Sequence, residues 1–287
     1  MDAHSFGVNT ATFDGSLEEK LRASREAGFG AIEIWAKDLV GHPGGVAAAA
    51  HTIRASGLRI SAFELLRDFE GLAGHLRDYK LEIAKSLIEL MATVGARLLI
   101  VTSSTSPNAI PDLDRIADDL RTLGTLATPN GIRIGYEALA WGRFVNEYTD
   151  AWEIVKRADR ENVGLVVDAF HILARDTPLG HLDDVPGERI FLVQLSDYLW
   201  EVDDLIETAR HRRLFPSEGN HGVKIADLAR RVAATGYHGD WTFEVFNDEY
   251  LQMPPAAVAA RAWEAAHWVV ANTTNAPSTA GRAGTAT

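Results

Sequence analysis

Val163-Gly164-Leu165-Val166-Val167-Asp168 is a short β-rich run that stays apolar until its last residue. A strand that is apolar on both faces is buried on both faces, which is the condition of a parallel sheet covered by helices. The neighbouring runs repeat the pattern. Ile134-Gly135-Tyr136-Glu137 precedes it, while Leu192-Val193-Gln194 and Thr242-Phe243-Glu244 follow, each ending in a side chain that carries oxygen. Read outward to full length, these four strands are predicted at Arg133–Glu137, Val163–Asp168, Ile190–Gln194 and Trp241–Val245. Four more are predicted at Phe6–Asn9, Ala31–Trp35, Arg59–Phe63 and Leu98–Thr102, which makes eight.

Helical spacing fills the intervals. Ser16 and Glu19 form a capping box ahead of Leu17, Leu21 and Ala27, and Gly28 closes that helix. Leu81, Ala84, Leu87, Ile88 and Met91 make a stripe ending at Gly95. Ile116, Leu120, Leu123 and Ala127 make another, stopped by Pro129-Asn130-Gly131, and Ile225, Leu228, Ala229 and Val232 repeat the device before Gly236. Eight strand–helix repeats favour an α/β fold closed into a (β/α)8 TIM barrel over an open sheet. No linker interrupts the pattern between Phe6 and Val270, so residues 1–271 are expected to form a single barrel domain. Asn272–Thr287, rich in Thr, Ala, Gly, Ser and Pro, is expected to be a disordered tail.

Composition removes several classes of function. The 287 residues carry 28 basic and 40 acidic side chains, a formal charge of −12 that repels polyphosphate and argues against nucleic-acid binding. Apolar residues make up 46% and charged ones 24%, as in a soluble globular protein. No run reaches the ~18 consecutive apolar residues of a membrane span, and the first residues lack a secretory signal. Cysteine is absent, which excludes disulfides, thiol nucleophiles and thiolate-bound zinc and fits a cytoplasmic address. Neither a dinucleotide fingerprint nor a phosphate-cradling loop is present; Asn9-Thr10-Ala11-Thr12-Phe13-Asp14-Gly15 follows the first strand instead. Oligomeric state is left open, homo-oligomers included.

A barrel of this kind assembles its site at the carboxyl ends of its strands. Glu137, Asp168, Gln194 and Glu244 therefore converge on one side of the mouth. Three carboxylates so close repel one another unless a cation compensates, and an all-oxygen donor set suits a hard divalent ion: Mg2+ or Mn2+, with Co2+ compatible. The plainer alternative is that each acid caps a strand or pairs with a nearby arginine. His171, three residues after Asp168, is placed for proton transfer or for a structural role. Basic residues gather after the third strand, at Arg67, and after the seventh, at Arg210 and Arg213, which points to an anionic small molecule gripped by guanidinium.

With these residues in hand, the chain resembles the xylose isomerase-like (sugar phosphate isomerase/epimerase) superfamily of TIM barrels across nearly its whole length. The strings Leu65-Leu66-Arg67-Asp68-Phe69-Glu70-Gly71, Tyr136-Glu137-Ala138-Leu139-Ala140-Trp141-Gly142-Arg143 and Phe243-Glu244-Val245-Phe246-Asn247-Asp248 are similar to those of bacterial 3-dehydroshikimate dehydratases. The resemblance implies a metal-dependent lyase that removes water from 3-dehydroshikimate to give protocatechuate, as in quinate and shikimate catabolism. It implies Glu137, Asp168, Gln194 and Glu244 as metal ligands and His171, assisted by Glu137 or Glu244, in proton transfer. Arg67, Arg143, Arg210, Arg213 and Trp141 would contact substrate.

The pattern also departs from the wider superfamily. Arg143 stands where many sugar epimerases carry a second glutamate, six residues beyond the first ligand, and Gln194 stands where histidine is frequent. An epimerase needs acid–base groups on both faces of a carbon, so the first departure favours elimination. The rival readings are a ketose isomerase or epimerase on the same scaffold and a barrel that binds a small molecule without catalysis. A metal-dependent DNA-repair nuclease would need more metal-binding histidines and a basic groove.

Overall fold

The apolar runs form eight strands: β1 (Phe6–Asn9), β2 (Ala31–Trp35), β3 (Arg59–Leu66), β4 (Leu98–Thr102), β5 (Arg133–Glu137), β6 (Val163–Asp168), β7 (Ile190–Leu195) and β8 (Asp240–Phe243). All pair in parallel and in sequence order, and β8 pairs back with β1 to close the barrel. The structure is a computed structural model and describes residues 2–200 and 204–274. Among these, the helices are α1 (Leu17–Ala27), α2 (Ala36–Val40), α3 (Gly45–Ser56), α4 (Gly74–Val94), α5 (Leu113–Ala127), α6 (Tyr148–Ala158), α7 (Ala169–Arg175), α8 (Leu205–His211), α9 (Gly222–Ala234) and α10 (Pro255–Thr274). The (β/α)8 architecture expected from the sequence is the one found.

Helix ends obey the local signals. Ser16 Oγ accepts from Glu19 N–H at 3.3 Å while Glu19 Oε2 accepts from Ser16 N–H at 2.8 Å, so two orphan donors of α1 are satisfied reciprocally. Gly28 ends the helix at φ 116°, a left-handed conformation that a β-carbon would oppose. Several boundaries differ from expectation: β7 runs one residue further, to Leu195, and β8 begins one residue earlier, at Asp240. β3 continues past Phe63 to Leu66, because Glu64 is buried within the strand rather than ending it. β8 stops at Phe243, and the Val245 N–H bonds Thr12 Oγ1 at 3.2 Å instead of a strand partner. α10 runs through Thr274, so the first three residues of the expected tail are helical; 275–287 lie outside the described residues.

Alternation along each strand sorts its side chains into two cores. Phe6, Val8, Ile32, Ile34, Ile134, Tyr136, Leu165, Val167 and Val193 face the helices and join the large core between sheet and helix ring. The opposite face looks into the barrel, where Ala62, Leu98, Ile100, Val166, Phe191 and Leu192 form a separate small cluster. Gly135 keeps that interior passable: a β-carbon there would lie 2.7 Å from Val166 Cγ2. Two residues further along the same faces stand Glu64 above Ala62, Thr102 above Ile100, Glu137 above Gly135, Asp168 above Val166 and Gln194 above Leu192. The barrel interior is therefore apolar at its base and polar at its carboxyl end.

Candidate active site

The polar layer forms the floor of a cavity of about 340 Å³ bounded by Glu64, Glu137, His171, Arg213 and Glu244, with Trp35, Trp141 and Phe246 as walls. Asp168 shows how the chain builds it. As the last residue of β6 and the N-cap of α7, it accepts the Phe170 N–H on Oδ1 at 2.7 Å, leaving Oδ2 to face the site. One turn later His171 returns over the strand ends, with Nε2 3.4 Å from Glu137 Oε1 and 3.5 Å from Asp168 Oδ2. Donor atoms of Glu137, Asp168 and His171 all lie within 4.8 Å of one another and are buried, a group that can hold a metal ion.

The imidazole has a fixed orientation. His171 Nδ1 accepts the Ala140 backbone N–H at 3.1 Å, so in the neutral ring the hydrogen sits on Nε2, facing the acids, and the carboxylates rather than the imidazole are the available metal donors. Trp141 meets the same ring edge-on at 5.0 Å.

Arg213 enters from the segment after α8. Its guanidinium donates through Nη1 to Asp168 Oδ2 at 2.9 Å and to Glu244 Oε2 at 3.1 Å, while Nε donates to the Ala209 carbonyl. Expected at the substrate carboxylate, Arg213 has Nη1 engaged with two of the expected metal ligands, on the cavity floor. Arg67 and Arg210 line the cavity with exposed side chains, and among the described residues neither is tied to a carboxylate. Arg143, also expected to contact substrate, is placed differently. Its backbone N–H is held by the Ser104 carbonyl, its exposed guanidinium lies over Phe144 at 5.3 Å, and it does not line the cavity.

Gln194, deeper in the barrel and fully buried, turns its amide nitrogen to Glu33 Oε1 at 3.0 Å and Glu64 Oε1 at 2.9 Å, while its Oε1 has no partner. Glu33 and Glu64 are the site residues that sequence reasoning missed, although an acid inside an otherwise apolar parallel strand is itself a signal. Burial drives Glu33 up to about 8, with a hydrogen bond to Glu64 opposing and the charges of Glu244 and Glu137 adding, while burial and then the charge of Glu33 drive Glu64 well above the usual carboxylate range. Burial also pushes Glu244 far up, and Glu64 pushes further, against the pull of Arg213. This is a site short of positive charge.

An ion fits that deficit. The acids supply hard oxygen donors, and the orphaned Gln194 Oε1 is a buried acceptor that a cation would satisfy.

Fold and site together define a class: closed α/β barrels with a buried group able to hold a metal at the carboxyl-end mouth. Within it, the chain belongs to the xylose isomerase-like TIM barrel family, whose profile matches residues 21–267. It is 40% identical over 88% of its length to a 3-dehydroshikimate dehydratase of Pseudomonas aeruginosa and 37% identical over 88% to one of Pseudomonas putida. The chain spans 39% and 40% of those relatives' lengths. A solved xylose isomerase-like TIM barrel/4-hydroxyphenylpyruvate dioxygenase fusion protein superposes with a TM-score of 0.90 at 35% identity, over 94% of this chain and 43% of that one. Among the described residues no helix is long and apolar enough to cross a membrane.

Proposed function

We propose that this barrel is a metal-dependent 3-dehydroshikimate dehydratase that eliminates water to give protocatechuate, with Mg2+ or Mn2+ held by Glu137, Asp168, Gln194 and Glu244. The observation that carries the reading is the cavity floor, where Glu137, Asp168 and His171 bring donor atoms within 4.8 Å of one another and Arg213 links Asp168 to Glu244, in a chain 40% identical over 88% of its length to a protein of that activity. A bound divalent ion supplies a Lewis acid for a ketone oxygen, which acidifies the adjacent carbon.

The protein's own groups account for the rest. Arg67 and Arg210, at the lip and without acidic partners among the described residues, orient the ring by its carboxylate. Trp35, Trp141 and Phe246 give the flat ring apolar walls. A carboxylate on the floor, Glu137 or Glu244, accepts the proton from C4. His171, with its hydrogen on Nε2, donates to the C5 hydroxyl as that group departs as water. Loss of the C6 proton and protonation of the ketone oxygen complete the aromatic ring, so one water leaves and no redox partner is needed.

The test is direct. Metal-depleted protein is mixed with 3-dehydroshikimate before and after addition of Mn2+ or Mg2+, and the near-ultraviolet absorbance of the catechol acid is followed. Product is expected only with metal, and Asp168→Asn or Glu244→Gln should abolish turnover while keeping the fold. Absence of product with either ion contradicts the proposal, and isomerisation of a keto sugar by the same sample would favour the epimerase reading.

A further inference from the structure

Gln194 is an unusual choice for a cation ligand, because an amide binds an ion only through its oxygen and can rotate to present two N–H groups instead. The structure shows what prevents this. Glu33 on β2 and Glu64 on β3 reach across the barrel interior to the Gln194 amide nitrogen, and each accepts one of its two hydrogens, at 3.0 and 2.9 Å. The two acids come from different layers: past a register shift between β2 and β3 that leaves Ser61 of β3 unpaired, Glu33 pairs with Ala62 and, two residues further along, Trp35 pairs with Glu64. Reversing the amide would set Gln194 Oε1 against two carboxyl oxygens and point both N–H groups at the ion.

We infer that Glu33 and Glu64 are positioning residues that lock the Gln194 amide with its oxygen facing the metal. Glu64 also borders the cavity, whereas Glu33 does not line it. Glu33 is fully buried and Glu64 nearly so, and both leave Oε2 without a partner, an arrangement that apolar side chains would improve if stability alone were served. Outer partners of a ligand normally fix its orientation and contribute to metal affinity.

The inference rests on the metal site proposed above, and the experiment separates the two. Mn2+ affinity is measured by calorimetry on metal-depleted wild type, Glu33→Leu, Glu64→Leu, Glu64→Gln and Gln194→Ala, and on Gln194→Ala combined with each Leu substitution. Each Leu variant should lose about tenfold in affinity, whereas Glu64→Gln, which keeps an acceptor oxygen, should stay close to wild type. In the Gln194→Ala background the Leu substitutions should change nothing further, since their effect passes through the amide. Undiminished affinity in both Leu variants overturns the inference. So does a full effect without Gln194, which would mean that the acids act by charge alone. If wild type binds no Mn2+, or Gln194→Ala binds it equally well, the metal assignment itself fails.

Discussion

Asp168 divides its work between two oxygens, one capping α7 and the other facing Arg213 and the site, so a single side chain couples local structure to chemistry. Its importance was legible because an apolar run turns polar there, and the same signal marked Glu137, Gln194 and Glu244. What Arg213 does was not legible, because its partners lie 45 and 31 residues away in sequence and only barrel closure brings them together. Glu33 and Glu64 are a middle case. Their presence in apolar strands was visible, but their convergence on one amide was not. Removing the guanidinium by Arg213→Met leaves two buried carboxylates without their ion-pair partner, which should cost about 3–5 kcal/mol in metal-free protein. Thermal unfolding should show a clear drop in Tm in chelator and substantial recovery on addition of Mn2+. An unchanged Tm in chelator would mean that the ion pairs contribute little.

At the scale of elements, the segment following β3 deserves comparison with its surroundings. Asp68 accepts from the Thr105 N–H at 2.8 Å, and Glu70 from the Ser104 N–H at 2.5 Å and the Tyr136 hydroxyl at 3.0 Å, so this loop is fastened to the exits of β4 and β5. That fastening holds Arg67 at the cavity lip. The sequence showed the string but not the fastening, since hydrogen bonds between loops leave no periodic trace. Strands and caps were more readable because their signals are local. Burial raises the Glu70 carboxyl to about 7 from an ordinary 4.5. The folded protein therefore retains a proton that the unfolded chain releases earlier, so this group's contribution is complete below about pH 4.5 and is lost as pH rises through about 7. Glu70→Gln should flatten the fall in stability across that window, as measured by urea unfolding at a series of pH values. An unaltered slope would show that Glu70 does not hold that proton.

For the whole molecule, the decisive property is the stacking of a polar layer on an apolar one inside a closed sheet. Closure was foreseeable from eight alternating repeats, and the position of the candidate site followed from the strand ends. The outward course of Arg143 was not foreseeable, because a turn rather than a strand directs it. The helical continuation to Thr274 overrode a composition that reads as a tail, consistent with packing of Val258, Ala262, Ala266 and Val269 from the same helix in the main core. The solved fusion protein with the same barrel is more than twice the length of this chain's matching segment. The most direct test of the account is anomalous diffraction from crystals of the metal-depleted protein soaked in Mn2+. A single strong peak surrounded by side-chain oxygens of Glu137, Asp168, Gln194 and Glu244 is the predicted result. A peak elsewhere, or none at that floor, would contradict it.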